Sequence, residues 1–411
     1  MSSSQINGYS KSATMASGQQ TTSNRHHRRN FTTEVLLRQE YAVYQDKVRL
    51  ESKAMRRSIF LFSIFAVVLP AEDWSAEKVR RVEQAIEAER LRQQVVGLSV
   101  AVAETGLLRF AGGFGRADLE NDVPAKADTV YRLASISKPI TAIAALQLVD
   151  RGKLNLDAPV QNYVPMFPQK QWGVSLRDLL GHLGGIRHYQ GTELDSTVHY
   201  NNITDPLRIF SEDPLVHQPR SKYLYTTYGF NLIGAAVEAA AGTSFLSYLR
   251  ENIFKPAGMV SIRSDNQREV IRNRSRGYAK DTDGRIINTG LADTSNKIPG
   301  GGLCSTVFDL IGLANAYESG LLLKRASMRE MKQPQRLLDG KRTGYGLGWN
   351  VSPIAGRAAI SHSGSQQGAR TLLVFYPDLK LTIVVMANSD HAVVNDFAAA
   401  ILKALETPSS A

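Results

Sequence analysis

Strand-like segments stand at both ends of this chain with helical ones between them, and that order permits few folds. Val96 to Ala103 (VGLSVAVA) and Leu107 to Phe114 read as two strands joined around Glu104-Thr105-Gly106. Strand patterns return only at Ala358–Ser361, Thr371–Phe375 and Leu381–Ala387. The middle is helical: a long helix from near Ser135 to Gly152, a stretch at Leu176–His182, and two helices, Phe230–Ala241 and Thr243–Phe254, separated by Gly242 with Thr243 or Ser244 as N-cap. Residues 190–222 are loop-rich. Strands that bracket a helical middle must pair with each other. The expected fold is therefore mixed α/β, of the α+β kind: an antiparallel sheet built from both ends and flanked by helices (75–94 and 393–405), plus an all-helical lobe over roughly residues 150–290.

The folded domain is expected to span residues 75–405, and what precedes it reads differently. Residues 1–30 are rich in Ser, Gln, Asn, Thr and Arg without a single acid, a composition that buries no core. Met55-Arg-Arg-Ser-Ile-Phe-Leu-Phe-Ser-Ile-Phe-Ala-Val-Val-Leu-Pro-Ala71 has two arginines, about a dozen apolar residues and a small residue before Glu72-Asp73. That is the layout of a secretory signal peptide, too short to span a bilayer comfortably. The expectation is an exported protein whose translation starts at Met55, with 1–54 an upstream extension. The alternatives are a buried helix, or an organelle transit peptide in the Arg/Ser-rich start.

The net charge of +11 raises a nucleic-acid or membrane partner. Residues 1–57 hold ten Lys/Arg against four acids, so more than half of the excess lies outside the expected domain. No basic stripe with interleaved aromatics appears in the rest, which sets nucleic acid aside. With 43% apolar residues there is material for one large domain or two intimately packed lobes. The single cysteine, Cys304, excludes an internal disulfide and any zinc site needing two thiolates, and reads as a packed thiol.

Within YRLASISKPITAIAALQLVD, Ser135 and Lys138 are three apart where a helix begins. A serine hydroxyl is a poor nucleophile at neutral pH and needs a base. Residues i and i+3 share a helix face, so the Lys138 amine can lie beside the hydroxyl. Burial lowers a lysine's pKa and lets it accept that proton. A helix N-terminus favours a developing oxyanion, and Pro139 fits a first turn. Alone, S-x-x-K is weak, since a capping serine with a solvated lysine looks the same. By themselves, the tyrosines of Pro219-Arg-Ser-Lys-Tyr-Leu-Tyr-Thr-Thr-Tyr-Gly-Phe-Asn-Leu-Ile-Gly234 read as core packing, and Ile360-Ser-His-Ser-Gly-Ser-Gln-Gln-Gly-Ala-Arg-Thr371 reads as a surface hairpin.

Taken together and in this order, these stretches resemble the serine β-lactamase and penicillin-binding-protein superfamily over roughly residues 90–405. The likeness is greatest to its class C-like branch of DD-peptidases, family VIII esterases and mitochondrial β-lactamase-like serine proteins. VGLSVAVAETG, FGRADLENDVPAKADTVYRLASISK, SLRDLLGHLGGIRHY, IFKPAGM, GGGLCSTVFDL and YGLGW fit that branch too. The resemblance implies a β-lactamase/transpeptidase-like fold and a cofactor-free, metal-free serine hydrolase acting on a small-molecule or peptide substrate. It makes Ser135 the acylated nucleophile and Lys138 its base or proton relay. Tyr225 would open a Y-x-N element, here Tyr225-Thr226-Thr227, and pass a proton to the leaving group. His362-Ser363-Gly364 would be the K/H-T/S-G strand, with the backbone N–H groups of Ser135 and Ser365 as oxyanion hole.

Two departures bear on substrate. Thr227 stands where asparagine is usual, so no side-chain amide is there to hold an acylamide. His362 stands where class C β-lactamases have lysine, and a histidine is mostly neutral at pH 7. Both disfavour efficient β-lactam hydrolysis and leave ester or peptide hydrolysis, with Arg370 as a candidate nearby cation. A second class of reading is an acylatable scaffold that does not turn over. His182 and His188 are expected as hydrogen-bonding scaffold, with the alternative that one of them lines the cleft.

Overall fold

The two ends of the domain meet in the middle of its main sheet. In the computed structural model, which describes residues 73–407, strand β1 (Gly97–Glu104) is followed by β2 (Leu107–Asp118) and the short β3 (Val123–Pro124). Near the other end come β4 (Ile360–Gln366), β5 (Ala369–Tyr376) and β6 (Leu381–Ala387). They form one six-stranded sheet in the order β3-β2-β1-β6-β5-β4. β1 and β6 pair antiparallel, from Leu98 opposite Ala387 to Glu104 opposite Leu381. The expected extension and signal peptide, 1–54 and 55–71, lie outside the described residues.

Both faces of the sheet are covered, which is why its central strands read as nearly continuous apolar runs. Strand side chains alternate between faces. Leu98, Val100 and Val102 with Ile383 and Val385 meet helices α1 (Ala76–Gln93) and α5 (Val394–Glu406) through Val82, Ile86, Phe397 and Ile401. Ala101, Ala103, Val384 and Met386 face the other way and join the larger core. That core also holds α2 (Ser137–Asp150), α3 (Thr227–Ala241) and α4 (Val307–Glu318). α1 starts where Ser75 accepts a hydrogen bond from the Lys78 backbone N–H at 3.2 Å, an N-cap written in the sequence.

Several features differ from expectation. The lobe over roughly 150–290 is not all helical, since it carries the short strands Arg263–Ser264, Tyr278–Lys280 and Ile286–Asn288, and the helix expected from Phe230 starts at Thr227. The strand read at Ala358–Ser361 is β4, and it runs on through His362-Ser-Gly-Ser to Gln366 because it pairs with β5 over its whole length. Ser and Gly have little strand preference, so only the tertiary partner makes this a strand. The helix read from Thr243 is capped by Ser244, ends at Leu249 and passes into a π-turn, Arg250–Phe254. Among the described residues no single helix is long and apolar enough to cross a membrane.

Candidate active site

Ser135 sits on a forced turn. The chain leaves the short strand Tyr131–Arg132 and takes Ala134 into the left-handed region at φ +48°, a conformation that costs an alanine energy. A 3₁₀ turn, Ala134–Ile136, then leads into α2. The α-helix proper therefore begins at Ser137, two residues past Ser135, because left-handed Ala134 prevents an α-turn from closing over the serine. The 3₁₀ geometry stacks residues i and i+3, and the Lys138 Nζ lies 3.0 Å from the Ser135 Oγ. Pro139 falls in the first turn of α2, where its missing N–H has no helical partner to lose.

α2 is buried on every side from Ser137 to Leu148, so Lys138 is 0% exposed. Its Nζ has three oxygen neighbours: Ser135 Oγ, Thr227 Oγ1 at 3.2 Å and the Gly300 carbonyl at 2.7 Å. None is a carboxylate. Burial first, and the nearby charge of Lys297 second, hold this amine well below the usual lysine pKa. A neutral amine has two N–H donors and one lone pair. In that form Gly300 and Thr227 can take the two donors and the lone pair can face the Ser135 hydroxyl. Thr227, which opens α3, thus serves the lysine with its hydroxyl. Gly300 could not carry a side chain, since a Cβ there would stand 2.5 Å from Thr227 Cγ2.

Tyr225 packs its ring over the same amine, 4.8 Å from Nζ. Burial pushes its phenol above the ordinary tyrosine range, opposed by a hydrogen bond with Ser135. It is a neutral phenol. His182 lies 4.2 Å from it, ring centre to ring centre, with Tyr345 4.7 Å from His182. Both histidines hydrogen-bond the backbone beside the tyrosine, and His188 also lines the cleft. His182 Nδ1 accepts from the Thr226 N–H at 3.2 Å, and His188 Nδ1 from the Thr227 N–H at 3.4 Å. They fix the Tyr225-Thr226-Thr227 backbone. Burial, with Lys138 and then Lys297 adding to it, lowers His188 to about 4.

His362 is not a substrate anchor of the kind its position in the motif implies. It is 4% exposed, and both ring nitrogens are taken. Nδ1–H donates to the Ser363 carbonyl at 2.7 Å, so Nε2 accepts from the Tyr345 hydroxyl at 2.8 Å. Burial, then the nearby Lys138 amine, lowers its pKa to about 3. It is a neutral strut between β4 and Tyr345. Arg370 also fails as the nearby cation: its guanidinium folds back onto the Gln366 and Ala369 carbonyls and Asp390, and it does not line the cleft.

Gly364 lets β4 approach the nucleophile turn. A Cβ there would stand 2.2 Å from the Leu133 carbonyl and 2.3 Å from Thr371 Oγ1. Thr371 ties β5 to the same turn through a 2.9 Å hydrogen bond to the Leu133 carbonyl. With strand and turn this close, Ser363 and Ser365 line one cleft with Ser135, Tyr225, Thr227 and His362, a cavity of about 440 Å³. The cleft also brings in Lys297, which lies outside every stretch quoted for the resemblance, and Tyr345, Gly300 and Gln366, which lie within such stretches but carried no assigned role. Lys297 ends a buried 3₁₀ turn, Ser295–Lys297, a polar stretch that by sequence alone reads as solvated. Cys304 is buried in a short strand away from the cleft, its thiol pushed up to about 12 by burial. Among the described residues no group of three His, Cys, Asp or Glu could hold a metal ion.

Comparison with known proteins gives this geometry its relatives. The family model described as Beta-lactamase matches residues 79–407. The human serine beta-lactamase-like protein LACTB, mitochondrial, is 31% identical over 69% of this chain and 69% of its own. Penicillin-binding protein 4* of Bacillus subtilis is 30% identical over 75% of this chain and 71% of its own. Among solved structures, the D-amino acid amidase of Ochrobactrum anthropi superposes with a TM-score of 0.71 at 22% identity, covering 80% of this chain and 99% of that one, a likeness of fold.

Proposed function

The chain belongs to the Beta-lactamase family of serine hydrolases, and on that premise we propose that it works through an acyl-enzyme at Ser135. The substrate is an ester or a D-amino-acid-containing peptide in preference to a β-lactam amide. The observation that carries this reading is the Lys138 amine, fully buried, without a carboxylate partner, and 3.0 Å from the Ser135 Oγ. Neutral Lys138 takes the hydroxyl proton as Oγ bonds to the acyl carbon. The tetrahedral oxyanion lies between the backbone N–H groups of Ser135 and Ser365. As the bond to the leaving group breaks, the proton passes to it from Lys138, with the Tyr225 phenol as relay. Water then repeats the sequence on the acyl-enzyme and frees the acid. Of the two candidate bases, Lys138 is favoured, because burial favours the neutral lysine and disfavours the tyrosinate.

The test is p-nitrophenyl butyrate hydrolysis by the full chain beside Ser135→Ala. Many turnovers per chain, reduced at least about a thousandfold by the substitution, are expected. Full activity in the alanine variant would overturn the assignment. Thr227 motivates a second reading, a scaffold that is acylated once and does not turn over. A burst of one equivalent with no steady rate would favour it. For location, the Met55–Ala71 pattern supports export, and the mitochondrial name of one relative keeps organelle targeting as the alternative.

A further inference from the structure

We infer that Lys297 is the anion anchor of this cleft, so that the preferred substrate carries a carboxylate close to its scissile bond; this rests on the serine-hydrolase reading above. Lys297 is 1% exposed, yet it lines the cavity that holds Ser135. Its Nζ donates to one oxygen, the Leu194 carbonyl at 2.6 Å, and the Tyr189 ring lies 5.0 Å away. An ammonium has three N–H donors, so two remain for whatever enters.

The carboxylates whose fields reach it make no ion pair with it. Asp265 is held by Arg132 at 2.9 Å and by Arg274, and Asp293 by His199 at 2.8 Å; Asp195 acts only from a distance. A buried ammonium without a counter-ion is destabilising, and such groups concentrate where a ligand supplies the missing charge. Burial, and then Arg132, bring its pKa down to about 8, which leaves it mostly cationic at pH 7.

The rest of the lining agrees in sign. No Asp or Glu lines the cleft among the described residues, so a substrate ammonium would meet no partner there. Gln366 also lines the cleft, and its buried Nε2 has no hydrogen-bond partner. With His362 neutral and Arg370 folded back, Lys297 is the cation lining the cleft that does not itself carry the Ser135 proton; only its field reaches the base, Lys138. The anchor has moved from the strand motif to the 3₁₀ turn before Gly300.

Two matched pairs of probes test this on the full chain. p-Nitrophenyl hexanoate against mono-p-nitrophenyl adipate places a carboxylate on the acyl side. Phenyl butyrate against 3-butyryloxybenzoate places it on the leaving group. In at least one pair, kcat/KM for the anionic member should exceed that of the neutral one by about tenfold or more. That ratio should shrink between about 50 and 500 mM salt. Lys297→Met should bring the ratio towards one, mainly through KM, and Lys297→Arg should restore part of it. The ratio, and not the absolute rate, is the readout. Turnover with no anionic preference in either pair, or a preference untouched in Lys297→Met, overturns the inference alone. No Ser135-dependent turnover of any of the four overturns the hydrolase reading and this inference with it.

Discussion

Lys138 decides how the site responds to pH. Its pKa lies well below 10.5 through burial and the field of Lys297, while that of Tyr225 lies above the tyrosine range. If the neutral lysine is the base, kcat/KM must rise with pH along a limb centred well below 10. If the tyrosinate were the base, the limb would lie above 10. The expected outcome is the low limb, checked with a pH-stable ester over about pH 5–10, and it should move towards higher pH in Lys297→Met, which removes the neighbouring positive charge. This pair was legible in the sequence because its partners are three residues apart, and chain geometry alone brings them together. The other partners of the amine were not. Gly300 and Thr227 reach Lys138 only through the packing of distant segments, and a glycine offering a carbonyl leaves no mark that tells it from a loop glycine.

At the scale of elements, the site is a contact between β4 and the 3₁₀ turn before α2. Neither element has a strong local preference. β4 is Ser- and Gly-rich and becomes a strand by pairing with β5, and the turn is held by left-handed Ala134 and the Thr371 hydrogen bond. This is why the sequence read β4 as a short strand ending at Ser361 and set the helix start two residues early, while the apolar strands β1 and β6 were plain. Gly364→Ala tests the contact. A methyl 2.2 Å from the Leu133 carbonyl must push strand and turn apart, which separates the two oxyanion donors. The expected loss in kcat is about a hundredfold or more, with circular dichroism unchanged. Activity within a few-fold of the parent would show that the two elements do not set the donor spacing.

For the whole molecule, the buried bases set the acid limit of stability. His182, His188 and His362 are neutral in the fold, with His188 at about 4 and His362 at about 3, against about 6.5 when unfolded. Between those values the unfolded chain binds more protons than the folded one, so folding weakens as pH falls through that window and is insensitive to these groups above it. Urea unfolding at about pH 7, 5 and 4 should show the decline. His362→Gln should make it shallower, by up to about 1.4 kcal/mol per pH unit; an unchanged slope would mean the strut is not buried neutral. The pairing of β1 with β6 carries a consequence for the chain's birth. Leu98 waits for a partner, Ala387, almost three hundred residues downstream. On the ribosome the helical segments are complete long before the main sheet can close, so the nascent domain stays open until its last strand emerges. A chain threaded through a translocon would meet the same delay, and its first and last strands would zip together only on the far side.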